Sequence, residues 1–276
     1  MTSVGDASHN DLDAARIESA LARGSIPWGR PLIVTPLTAS TNDDAKRAAR
    51  NGAPEGAAFV ADAQSSGRGR LGRTWFSPSG ENLYASFVLR PSFDPKRIPL
   101  VTLTAGLAVV DAVVPRVAAR RVGLKWPNDV YVDGRKVAGI LSEAQVIDGR
   151  VAWIVVGIGI NVRTRAFPSE LAERSTSLAI AGATALHRGD LFVDLAGALF
   201  RRIATLREGN VRDLVAEFAA RDEIAGQAIT VDGAPAIALG IAEDGALRIR
   251  RADGREEQCV AGEIRLSTPC ATDAPG

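Results

Sequence analysis

"LKWPNDVYVDGRKVAGILSEAQVIDGRVAWIVVGIGINV", Leu124 to Val162, holds apolar runs separated by two Asp-Gly pairs, Asp133-Gly134 and Asp148-Gly149. Asp-Gly between apolar runs is a strong hairpin signal, because both central residues of a two-residue type I′ loop need positive φ. The stretch therefore reads as an antiparallel meander, with "LKWPNDVYV" as one strand and Pro127 marking an exposed turn within it. "VVGIGINV" (Val155–Val162) carries Gly157 and Gly159 but has Val162 in place of a third glycine. A turn rather than a helix follows it. A dinucleotide fingerprint on parallel strands is thereby excluded, and the two glycines read as points of close approach.

Outward from the meander, the pattern stays mixed. Upstream, "DLDAARIESALA" (Asp11–Ala22) reads as a short helix and "PLIVTP" as a strand. "STNDDAKRAARNG" reads as a helix with Thr41 as N-cap, Asp44 in a capping-box position and Gly52 as terminator. "AAFVADAQ" and "NLYASFVLRP" read as strands, and "LVTLTAGLAVVDAVV" as an apolar helix. Downstream, two helices fall between residues 190 and 221, and after Gly226 short strands with glycine turns suggest a small all-β barrel. The fold class expected is α+β, with a mixed, largely antiparallel sheet and a small C-terminal barrel. The expected organisation is an N-terminal extension over 1–30, partly disordered, a main domain over 31–224, a small domain over 225–270 and a disordered tail over 271–276.

The chain has 276 residues, 46% hydrophobic and 24% charged, with a net charge of +1. That balance provides a core and argues against a protein that lives by non-specific phosphate binding. Two cysteines, Cys259 and Cys270, support neither a disulfide framework nor a zinc site. The start "MTSVGDASHNDLDAAR" is no signal peptide, and no run is read as a membrane span, so the cytoplasm is expected. His9 and His187 offer no Ser-His-Asp set, so charge neutralisation and positioning are expected rather than nucleophilic catalysis.

Charge is concentrated in "SSGRGRLGRTW" (Ser65–Trp75), where Arg68, Arg70 and Arg73 alternate with Gly67, Gly69 and Gly72. Glycines allow backbone N–H groups to approach an anion, and arginines add forked donors. Trp75 offers a face for stacking. The loop lacks the Lys-Ser/Thr of a Walker motif. Such a loop is expected to order on binding an anion. The residues alone leave a nucleotide or a small carboxylate as that anion. The only lysines are Lys46, Lys96, Lys125 and Lys136, and two of these fall in "KWPNDVYVDGRKVAG" beside Asn128 and Asp129. A carboxylate beside lysines near phosphates could hold Mg²⁺ through water. "ASTND" places Ser40, Thr41 and Asn42 at a helix N-terminus, where they can cap the helix or fix a small polar ligand.

"STN", "GRGRLGRTW", "KWPNDVYVDGRKVAGIL" and "GIGINV", in this order, closely resemble the biotin protein ligase family, over roughly Pro31 to Leu266. The resemblance implies a class II synthetase-like catalytic domain with an SH3-like C-terminal domain. It implies a reaction in which biotin and ATP, with Mg²⁺, give biotinyl-5′-AMP, which a lysine of a biotin carboxyl carrier domain of an acyl-CoA or pyruvate carboxylase then attacks. By that pattern Ser40, Thr41, Asn42, Gln64, Gly67, Arg68, Gly69, Arg70, Lys136, Gly139 and Gly157 contact biotin. Arg70, Arg73, Trp75, Lys125, Asn128, Lys136, Gly159 and Asn161 contact ATP or the adenylate, with Trp75 on adenine. Lys136, Arg68 and Arg70 are the catalytic candidates and Asp129 the metal candidate. Arg68 is expected to retain the adenylate. Some family members carry a DNA-binding domain ahead of the catalytic one. About forty residues precede Ser40, fewer than the roughly sixty such a domain needs, so neither DNA binding nor a membrane role is expected. A lipoate or octanoate ligase of the same superfamily is the alternative, with a nucleic-acid-binding regulator behind it.

Overall fold

A computed structural model describes residues 11–266. The expected disorder at residues 1–10 and 271–276, His9 and Cys270 lie outside the described residues. Both Asp-Gly pairs turn as their chemistry requires: φ is +48° and +74° at Asp133-Gly134, and +49° and +73° at Asp148-Gly149. They join three antiparallel strands, β5 (Asp129–Val132), β6 (Arg135–Ile147) and β7 (Arg150–Ile160). The run "LKWPNDVYV" is not one strand. It breaks at Trp126–Asn128 into β4 (Val122–Lys125) and β5, paired antiparallel with Lys125 opposite Asp129. Pro127 cannot donate to a ladder, so the strand turns back there.

The remaining strands of the sheet are β1 (Leu32–Thr38), β2 (Ala58–Gln64) and β3 (Leu83–Leu89), and the order is β1-β2-β3-β7-β6-β5-β4. Only β1 and β2 are parallel. The class is therefore α+β, as the sequence suggests. A dinucleotide fold is ruled out because β7 is antiparallel to both neighbours.

The two faces of the sheet are covered unequally. One face carries α3 (Ile98–Val113) and α5 (Arg188–Arg207), and side chains such as Phe87, Leu89, Ile154 and Val156 belong to that core. Helix α3 is apolar all round, with a mean hydropathy of 1.9 over its best window, and is mostly buried. Together with the 3-10 turns at its two ends it runs from Pro95 to Arg116, the one described helix long and apolar enough to cross a membrane, and its burial marks it as a core helix. Helix α1 (Ala14–Arg23) adds Ile17 and Leu21 to the same core and packs on α5. The opposite face carries α2 (Thr41–Arg50), whose buried apolar residues are alanines, Ala45 and Ala49, against Phe59, Val88, Trp153 and Val155. Small residues let α2 lie close to the sheet. Its C-terminal end is tied by Arg90, which donates to Ala49 O in the last turn at 2.7 Å and to Ala53 O just beyond the helix at 2.8 Å.

A four-residue turn of helix, α4 (Ser169–Ala172), and α6 (Val211–Ala219) complete the helices. Beyond them, β8 (Ala228–Val231), β9 (Ala234–Ile241), β10 (Leu247–Arg251), β11 (Glu256–Cys259) and β12 (Ile264–Leu266) form a second antiparallel sheet, consistent with an SH3-like domain. It is pinned to the main body where Trp126 Nε1 donates to Gly245 O at 2.9 Å.

Candidate active site

Side chains alternate along a strand, so one face of β7 shows Trp153, Val155, Gly157, Gly159 and then Asn161. The first two lie under α2; the glycines lie beyond its N-terminus. Gly139 of β6 stands opposite Gly159. Where α2 ends and side chains vanish, the sheet becomes the floor of a cavity of about 740 Å³. The floor is close-fitted. A Cβ on Gly157 would overlap Asn42 Oδ1, and one on Gly159 would sit 2.5 Å from the Trp75 ring. In this structure Asn42 and Trp75 occupy the approach that these glycines open.

The N-terminus of α2 forms the polar end. Ser40, not Thr41, is the N-cap, and it makes no side-chain capping bond. No capping box forms: Asp44 accepts from Thr38 Oγ1 at 2.6 Å and pairs with Arg47. Thr41 instead donates through N and Oγ1 to Gln64 Oε1, at 2.9 and 3.2 Å. Gln64 Nε2 donates to Ser77 Oγ at 3.0 Å. Ser86 Oγ lies 2.6 Å from Asn42 Oδ1 and 2.8 Å from Thr41 Oγ1. Ser40, Thr41, Asn42 and Ser86 are all buried. Side chains freed from capping thus make a dense, ordered donor–acceptor lattice facing the cavity.

The arginine–glycine loop is a small hairpin. Arg68 bridges Thr74, Gly69 N donates to Arg73 O at 2.7 Å, and the tip turns with φ of +56° at Leu71 and +73° at Gly72. Gly67 is needed because a Cβ there would lie 2.5 Å from Ser77 Oγ and 2.6 Å from Trp75 O. The three arginines have different surroundings. Arg68 reaches Asp43 at 2.5 Å and Glu143 at 3.4 Å. Arg70 donates to Asn128 Oδ1 at 3.3 Å and to Gly262 O at 3.4 Å. Arg73 pairs with Glu263 of the small domain.

Arg70, Lys125 and Lys136 converge on Asp129. Lys136 Nζ is 2.6 Å from Asp129 Oδ1 and 5.2 Å from the centre of the Trp75 ring. Burial pushes the Lys125 amine below the usual lysine range; Asp129 opposes this, while Lys136 and Arg73 reinforce it. Burial also lowers Arg70, again against Asp129. Burial raises the Tyr131 phenol beside them. The cluster carries more cation than carboxylate, a vacancy of charge that suits an anion.

All the sequence-derived candidates except Gly67 line this one cavity, and Gly67 shapes the loop that walls it. Asn161 lines it while its Nδ2 holds Thr176 O at 2.9 Å. Among the described residues no group of three His, Cys, Asp or Glu gathers to hold a metal; Asp129 has Lys136 upon it, and two further carboxylates line the cavity, Glu170 and the Glu263 that pairs with Arg73. Sequence reasoning did not single out Tyr84 or Gly262–Arg265 of the small domain, which line the cavity, nor Ser86 and Ser77, which bond to Asn42 and Gln64 of its wall. Nor did it single out Arg188, which is fully buried and bonded to Asp11 and Asp62, each at 2.7 Å. His187 caps α5, its Nδ1 accepting from Asp190 N.

The profile of the Biotin/lipoate A/B protein ligase family matches residues 34–161, the stretch that holds most of the cavity wall. The chain is 36% identical to the biotin–[acetyl-CoA-carboxylase] ligase of Mycobacterium tuberculosis over 225 residues, covering 80% of this chain and 81% of that protein. It is 40% identical over 162 residues to the bifunctional ligase/repressor BirA of Bacillus subtilis, covering 58% of this chain and 50% of that one. The chain thus spans about half the length of the ligase/repressor relatives it matches. The biotin protein ligase of Aquifex aeolicus in complex with biotin and ATP superposes with a TM-score of 0.71 at 28% identity, over 85% of this chain and 98% of that one. The chain belongs to the biotin protein ligase family.

Proposed function

We propose that the protein joins biotin to a lysine of a biotin carboxyl carrier domain, using ATP and passing through a bound biotinyl-5′-AMP. The observation that carries this reading is the pairing, in one cavity, of a buried hydroxyl–amide lattice with a cationic cluster. Thr41, Asn42 and Gln64, with the buried Ser86 bonded behind them, offer donors and acceptors suited to a cyclic urea. Arg70, Lys125 and Lys136 suit a carboxylate and an α-phosphate together. The polar lattice disfavours a lipoyl or octanoyl chain, which would leave those buried groups unpaired.

In the first half-reaction a biotin carboxylate oxygen forms a bond to the α-phosphorus and the bond to the pyrophosphate oxygen breaks. Two anions must meet, and the cations make that approach possible and stabilise the charge that develops. Lys136, released from Asp129 by the stronger anion, is placed to bind the bridging oxygens. In the second half-reaction the lysine amine displaces AMP. Mg²⁺ on the triphosphate would supply further neutralisation, and Asp129, beside Lys136, would be the carboxylate to face it, in a site built from one carboxylate and substrate phosphates.

Incubation with ATP, Mg²⁺, labelled biotin and a carrier domain should transfer label to the carrier. Lys136→Ala should cut pyrophosphate release by on the order of a hundredfold. An unaltered release rate would remove Lys136 from the proposal, and absence of label in the wild type would end it.

A further inference from the structure

Side chains four apart share a helix face and side chains two apart share a strand face, so Asn42 and Lys46 of α2 meet Leu141 and Glu143 of β6. Asn42 is buried, and both hydrogens of its amide are taken. Its Nδ2 donates to Glu143 Oε2 at 2.8 Å and to Leu141 O at 3.2 Å. The other carboxylate oxygen, Oε1, is held by Lys46 Nζ at 2.7 Å, and Lys46 also reaches Asp43 Oδ1 at 3.1 Å. Arg68 shares Glu143 Oε2 at 3.4 Å. Turned over, the Asn42 amide would set Oδ1 against Leu141 O and the Glu143 carboxylate, acceptor facing acceptor. Held as it is, Oδ1 points over the glycine floor. A Cβ on Gly157 would lie 1.9 Å from Oδ1 and 3.0 Å from Nδ2. Ser86 Oγ has one hydrogen to give, so at least one Oδ1 lone pair is left for a ligand.

We infer that Glu143, anchored by Lys46, is a positioning residue that sets the Asn42 amide so that the polar end of the cavity presents an acceptor to a ring N–H of the ligand. The inference rests on the ligase reading above and adds to it the residue that decides which ring atoms the site accepts. Asn42 and Gly157 line the cavity, and Glu143 acts on it through Asn42. A cyclic urea carries an N–H on each side of its carbonyl, whereas a dithiolane or an alkyl chain carries none. A ligand without that N–H leaves a buried acceptor unpaired. The bond to Lys46 matters as much as the carboxylate, because the ammonium would orient a neutral amide placed at 143. The amide oxygen would go to Lys46 and the NH2 would face Asn42. The Asn42 amide would then turn over to meet it, setting its own NH2 against the ligand N–H.

The test uses the full chain and three ligands measured by calorimetry without ATP. These are biotin and the two cyclic carbamate analogues of biotin, in which a ring oxygen replaces one N–H or the other. Glu143→Gln should weaken biotin by about tenfold or more, and weaken equally the carbamate that keeps the N–H facing Asn42. The other carbamate has no N–H there to lose and should change by about twofold or less. KM for ATP should not move. Adding Lys46→Met to Glu143→Gln frees the amide oxygen to turn back to Asn42, and should restore biotin affinity to within about threefold of the wild type. Unchanged biotin affinity in Glu143→Gln, equal losses with all three ligands, or no recovery in the double variant would overturn the inference and leave the ligase reading intact. A wild type that binds no biotin would overturn the reading itself.

Discussion

Arg188 and the arginines of the 68–73 loop are the same side chain in opposite circumstances. Arg188 opens α5 with no exposed surface, held by Asp11 and Asp62 and by Asn82 O at 3.3 Å. Arg68 and Arg73 are more than a third exposed, and Arg70 holds neutral oxygens at long range. A buried arginine with its counter-charges supplied by the protein is a structural tie. Arg68 and Arg73 have carboxylate partners at the surface, and Arg70, whose hydrogen bonds go to neutral oxygens, is the one that awaits an anion from outside. The difference lies in who provides the anion, and it separates framework from function more sharply than exposure does.

Breaking the tie should give the largest effect. Arg188→Met leaves Asp62 without its cation and Asp11 with Arg163 alone, and should destabilise the fold by about 3–5 kcal/mol, read from urea unfolding. Burial would raise the Asp11 carboxyl, but hydrogen bonds and charge from Arg188, with Arg163, hold it below the usual range. Burial acts likewise on Asp62, outweighed by Ser79 and Arg188. Folded pKa values below the unfolded value of about 3.9 mean that this stabilisation is present above that pH and is lost as pH falls through the lower folded values. Stability of the wild type should therefore drop in acid, and that of Arg188→Met should drop less steeply. An identical acid dependence would show that the tie is not electrostatic.

The second contrast lies within the loop. From sequence, Arg68 is expected to retain the adenylate. The structure turns Arg70 toward Asn128 and the cationic cluster, and commits Arg68 to Asp43 and Glu143. Arg70→Gly should therefore release the adenylate faster, by about tenfold or more, and biotinylate bystander lysines. Arg68→Gly should show the smaller change. The reverse ranking in a release assay would restore the sequence expectation.

Legibility follows the same division. The meander was readable because Asp-Gly turns declare themselves in two residues, and the cation loop because three arginines among three glycines mark a local concentration of charge on a pliant backbone. The capping reading of "ASTND" failed because a side chain able to cap can be claimed by a stronger partner, here Gln64 from β2. The break at Trp126–Asn128 was marked by Pro127, but the return strand is only four residues long and carries little pattern of its own. Ser86 and Gly262–Glu263 carry no local signal, since only the packing of α2 on β3 sets Ser86 against Asn42 and only the seating of the small domain brings Gly262–Glu263 to the cavity. Arg188 is one arginine in an ordinary helix start, and nothing beside it announces Asp62, 126 residues away.

A subtler test concerns Lys125, whose charge is held by the site at a cost. Burial lowers its pKa, so the cation that would meet phosphate is lost at lower pH than for an exposed lysine. Adenylate formation should fall on the alkaline side as pH rises through that lowered value. Lys125→Arg keeps its charge at any accessible pH and should carry the alkaline limb upward, even where the maximal rate declines. A limb that does not move would assign it to another group.

The smallest effect should come from Arg73 and Glu263, which join the loop to the small domain. Arg73 is 59% exposed, so the pair has the solvent screening of a surface contact. A double-mutant cycle of Arg73→Ala and Glu263→Ala should give a coupling of about 0.2–1 kcal/mol in stability, shrinking with salt. Adenylate formation is the more telling readout. If Arg73 is an arginine of the functional kind, Arg73→Ala should slow it more than Glu263→Ala does, because only the first removes a cation from the anion's surroundings. Equal losses from the two single variants, with no further loss in the double, would place Arg73 with Arg188 instead, as a tie whose anion the protein already supplies.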